Sequence, residues 1–77
     1  MKGENLMKYY IRVLNKKNNE VLYRQYKCIE GWNRDKTNCW QFSRQGALGV
    51  IRRLQSRDIM WKRDWLTYSL EEAKDEN

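Results

Sequence analysis

Seventy-seven residues allow one small domain, and sixteen Lys and Arg against ten Asp and Glu leave a formal charge of +6. The absence of His excludes a Ser-His-Asp or Cys-His catalytic set, His-ligated zinc and an imidazole switch near neutral pH. Two Cys cannot build a four-thiolate metal site, no apolar run approaches the roughly 18 residues of a membrane span, and no signal-peptide pattern opens the chain.

In chain order, residues 1–7 read as a short flexible lead, residues 8–70 as the domain and residues 71–77 as an acidic flexible tail. Lys8 to Asn15, KYYIRVLN, is rich in aromatic and β-branched residues, with Tyr9, Ile11 and Val13 at period two on one face. Tyr10, Arg12 and Leu14 make the other face mixed. Asn15 to Asn19 supplies turn chemistry, because Asn tolerates left-handed backbone. Glu20 to Ile29 predicts a second, antiparallel strand. Glu30 to Asn38 reads as a loop with Trp32 near its start. Cys39 to Phe42 predicts a short third strand beside the second, with Trp40 and Phe42 on a common face.

Ser43 changes the period. It is a preferred N-cap, and Ala47, Val50, Ile51 and Leu54 then fall on one helical face. Gly46 and Gly49 each cost about 1 kcal/mol relative to Ala in such a helix, which points to close packing on a sheet, or to a partner. The helix is expected to end near Arg57, and Asp64 to Leu70 predicts a fourth strand with Leu66, Tyr68 and Leu70 toward the core. The expected architecture is α+β, a small antiparallel sheet in the order β-β-β-α-β with one face covered by a single amphipathic helix. Cys28 and Cys39 are expected as small buried hydrophobes in facing strands, with a disulfide across a hairpin left open.

Four Trp, five Tyr and one Phe are more rings than so small a domain can bury. The charge is also uneven: residues 71–77 carry four acids and one Lys, net −3, so residues 1–70 carry fifteen basic and six acidic residues, net +9. A domain so charged attracts polyanions. Arg44, Arg52, Arg53 and Arg57 fall opposite the apolar stripe of the helix with no acid among them, each offering a planar fork suited to phosphate. Trp32, Arg34 and Lys36 before the helix, and Trp61, Lys62, Arg63 and Trp65 after it, interleave rings with cations as single-stranded nucleic-acid binders do. Protein hot spots use the same side chains. Of these rings, Trp40 and Trp65 are expected in the core, and Trp32 and Trp61 at the surface. The scattered acids show no cluster able to hold Mg²⁺, so neither catalysis nor a cofactor or metal is expected.

The stretch Cys39 to Leu54, CWQFSRQGALGVIRRL, with its WxFSxxGA lead into the helix, resembles the small uncharacterised proteins that bacteriophage genomes encode. That resemblance implies a protein that binds and diverts a host protein or nucleic acid in the bacterial cytoplasm. The expected function is therefore non-enzymatic binding of nucleic acid, or of a nucleic-acid-processing complex, through the basic, aromatic surface. The alternative is inhibition of an acidic host protein through that same surface. Monomer and dimer are both open, since a four-strand sheet leaves two edges to protect.

Overall fold

The computed structural model describes residues 7–73, so the expected lead, apart from Met7, and the end of the expected tail lie outside the described residues. Strand β1 (Lys8–Asn15) is central, flanked by β2 (Glu20–Arg24) on one side and β4 (Leu66–Ala73) on the other. Strand β3 (Trp32–Asn33) lies outside β2, giving the sheet order β3-β2-β1-β4 with every pairing antiparallel. Helix α1 (Arg44–Met60) packs across β1 and β4. The expected α+β class, element order and helix-covered sheet are what the chain forms.

Period two separates the faces of the sheet. Val13 stands opposite Leu22 and Tyr68, and Ile11 opposite Leu70, so these rows meet the helix. The helix answers with Ala47, Val50, Ile51 and Leu54, and Phe42 completes the buried cluster. Ile11 and Ala47 have no exposed surface at all. Ser43 caps α1 as expected, its Oγ accepting from the Gly46 N–H at 3.1 Å. At the other end, the Lys62 N–H donates to the Ile59 carbonyl and the Arg63 N–H to the Asp58 carbonyl. This is the bonding of a Schellman turn. It places Lys62 at the left-handed position, φ 57°, where Gly is the usual residue.

The strand boundaries differ from expectation. The third strand is Trp32–Asn33, not Cys39–Phe42, because β2 stops at Arg24 and the Gln25 N–H closes on the Gly31 carbonyl at 2.7 Å. Gly31 passes so close to the exposed Tyr26 ring that a Cβ would lie 2.7 Å from it, so any larger residue there would have to displace that ring. Trp32 is thereby delivered to the sheet, half-buried against the core. Phe42 instead makes an isolated bridge to Tyr9, where β2 no longer covers β1. The expected common face of Trp40 and Phe42 is lost: Phe42 is buried and Trp40 is 47% exposed. Trp65, expected in the core, is half-buried, with the Lys17 ammonium 3.6 Å above its ring. Cys28 is exposed in the loop after β2 and Cys39 is half-buried; both are free, and neither lies in a strand. Strand β4 runs three residues into the segment expected as tail. The asparagine turn is as expected, with Asn19 left-handed at φ 60°.

Candidate functional site

The four helix arginines do not share one side. An α-helix turns about 100° per residue, so Arg44 and Arg52 stand together with Leu48, whereas Arg53 and Arg57 stand on the opposite flank with Gly46 and Val50. Arg44, Arg52 and Arg53 are exposed and make no ion pair among the described residues. Arg57 is half-buried and grips Glu30 with two bonds, Nη1 to Oε1 at 2.7 Å and Nη2 to Oε2 at 3.2 Å. The Arg57 and Trp32 hydrogen bonds hold the Glu30 carboxyl below its ordinary value.

Three other candidate cations are also engaged within the chain. Arg34 reaches Glu20, its Nη2 2.5 Å from Oε2. Lys36 crosses to the sheet face away from the helix and pairs with Glu71, which also accepts from the Tyr23 hydroxyl at 2.9 Å. Tyr10 and Tyr23 meet edge to face beside this pair. Arg63 lies 3.1 Å from the buried Asp58, whose other oxygen accepts from Tyr68 at 2.5 Å. Burial and that carboxylate push the Tyr68 phenol up to about 12. Trp32 is tied by its indole N–H to Glu30 and tilts against Tyr68. Of the remaining candidates, Lys62 is exposed and Trp61 is 67% exposed, next to Met60 at 77% and Ile59 at 78%.

A different group of residues makes a basic recess. Arg24 ends β2 on the helix-facing side, next to Trp32 across the strand pair. It retains only 7% of its surface, and among the described residues its Nε has no hydrogen-bond partner. Among the described residues it forms no ion pair; its guanidinium stands 6.0 Å from the Trp32 ring centre. Burial pulls Arg24 below its ordinary value, Glu30 opposes that, and Arg53 and Arg57 add to it. A buried ion without a counter-charge costs a fold several kcal/mol, of which a cation–π contact returns about 1 kcal/mol.

Two adjoining recesses open over Arg24 between α1 and the loop 25–31, about 330 Å³ and 420 Å³ in volume. Both have Arg24, Cys28, Val50 and Arg53 in their walls. Glu30 and Arg57 close one end of the groove, and Lys27, Phe42 and Gly46 border the other. Four cations thus line it against one carboxylate, and that carboxylate is already held by Arg57 and Trp32. The glycines do not mark close helix–sheet packing: a Cβ at Gly49 would meet nothing within 4 Å, and one at Gly46, which borders the groove, would meet only the Ser43 hydroxyl.

Arg24, Lys27 and Glu30 were not among the residues singled out from sequence. One signal was present, since Leu22 and Arg24 share a face at period two, and an arginine on an inward strand face calls for a partner. Neither protein-family models nor curated proteins nor solved structures provide a match to this chain.

Proposed function

We propose that this is a non-enzymatic nucleic-acid-binding protein that grips the phosphate backbone in the groove between α1 and the loop 25–31. The observation that carries this reading is Arg24, a buried guanidinium with no carboxylate partner among the described residues, beneath a groove that also holds Arg53 and Lys27. Phosphate oxygens supply the counter-charge the chain withholds, and a guanidinium fork fits them in two bonds. Exposed Trp61 and the neighbouring Lys62 give a bound strand a ring and a cation beyond the groove.

Three phosphate contacts predict a slope of log K against log salt near −2 for a single strand. Fluorescence anisotropy with a labelled oligonucleotide should therefore show affinity falling roughly 20-fold between about 50 and 200 mM salt. Salt-independent binding, or none, overturns the reading.

The consecutive exposed side chains of Ile59, Met60 and Trp61 favour one other occupant, an acidic patch on a host protein. Electrostatics would then speed the encounter and the apolar anchors would set its lifetime. A pull-down from nuclease-treated bacterial lysate separates the two: a stoichiometric protein partner that survives the nuclease favours the host-protein reading.

A further inference from the structure

We propose that the recess over Arg24 is a pocket for a single phosphate group, with Arg24 as its floor, and that Arg53 and Lys27 at its mouth take one neighbouring phosphate each. The proposal rests on the preceding reading only for the source of the phosphate, which is a backbone phosphate of the bound strand.

Arg24 is more than nine-tenths buried, lines both recesses, and leaves Nε without a partner among the described residues. A structural arginine at such a site is normally met by a carboxylate or by carbonyls. Glu30 is close enough to act on it, yet both Glu30 oxygens are spent on Arg57 and Trp32. A recess of about 330 Å³ far exceeds the share of one water, about 30 Å³. The lining chemistry suits an anion with several acceptor oxygens, as the singly charged phosphodiester is, because Arg24 has no ion-pair partner among the described residues. Gly46 in the groove wall carries no side chain, so a ligand with bulky ester substituents can lie along it.

Cys28 is exposed and lines both recesses, which makes its thiol a reporter of occupancy. Inorganic phosphate at about tenfold its Kd, compared with chloride at equal ionic strength, should slow iodoacetamide alkylation of Cys28 about tenfold. Cys39 lines neither recess and serves as the internal control. Arg24→Met should abolish this protection and also raise the Tm by about 5 °C, since it removes an uncompensated buried charge while keeping its bulk. A lower Tm with protection intact makes Arg24 a structural residue and overturns the pocket. Unprotected Cys28 in the wild-type protein overturns it whether or not the variant folds. Phosphate protection without oligonucleotide binding retains the pocket and removes the nucleic-acid source. Oligonucleotide binding that is indifferent to Arg24→Met does the reverse.

Discussion

Lys62 and Asp58 carry opposite lessons about single residues in this chain. Lys62 occupies a left-handed position that costs a side-chain-bearing residue roughly 1 kcal/mol and costs glycine little. Lys62→Gly should therefore raise stability by about 1 kcal/mol in chemical denaturation; no gain would mean that the turn is held by something else. Asp58 is 4% exposed and joins the helix to β4 through Tyr68 and to the following turn through Arg63. Asp58→Ala strands both partners and should cost about 3 kcal/mol. Tyr68 also sets an alkaline limit. Its phenol is held up at about 12 from an ordinary 10, so the fold favours the protonated form. That stabilisation is complete below pH 10 and drains away as pH rises toward 12. Unfolding should therefore accompany the rise of tyrosinate absorbance, and Tyr68→Phe should remove the Tyr68 share of it. The expected helix end near Arg57 leaves position 58 outside the helix, whereas α1 runs to Met60 and turns Asp58 inward, four residues beyond Leu54. Its role was not legible either, because the tyrosine that satisfies it lies ten residues further along the chain.

Periodicity carried most of the information about elements. The cap at Ser43, the inward stripe of α1, the first strand and the inward set Leu66, Tyr68 and Leu70 all follow from repeat spacing that local sequence expresses directly. The loop between β2 and α1 resisted such reading. Its course is decided by tertiary contacts: the Gln25–Gly31 closure, the Tyr26 ring over Gly31 and the long-range bridge from Phe42 to Tyr9. None of these has a periodic signature. The helix arginines show a related limit, since the surface away from the core spans two flanks, and only the packing of loop 25–31 makes one of them a groove wall. Gly49 is a test at this scale. It is helical and faces open space, so Gly49→Ala should stabilise the protein by about 1 kcal/mol. A loss of stability would mean that the position is packed after all.

For the whole molecule, the charge asymmetry visible in composition becomes a division of labour among cations. Arg34, Lys36, Arg57 and Arg63 are consumed within the fold, whereas Arg24, Lys27 and Arg53 converge with no ion pair among the described residues. Composition showed that positive charge was in excess; which cations were in excess depended on contacts as distant as Lys36 with Glu71. The same pairs set the acid limit of the fold. Glu30 and Glu71 are both held below the ordinary 4.5, Glu30 by Arg57 and Glu71 by Lys36. Their contribution is full above pH 4.5 and is lost as pH falls through the lowered values. At these partly exposed sites it amounts to a few tenths to about 1 kcal/mol per pair. A thermal scan from neutral to acid pH should show Tm constant down to about that pH and falling beneath it, with a smaller fall in Glu71→Gln.

The salt dependence of oligonucleotide binding, compared between two double variants, tests the groove most directly. Lys27→Gln with Arg53→Gln should reduce the slope of log K against log salt from about −2 to about −0.7. Arg44→Gln with Arg52→Gln, on the other flank of the same helix, should leave it unchanged. Equal losses in the two variants, or a loss confined to the second, would contradict the assignment of binding to the groove.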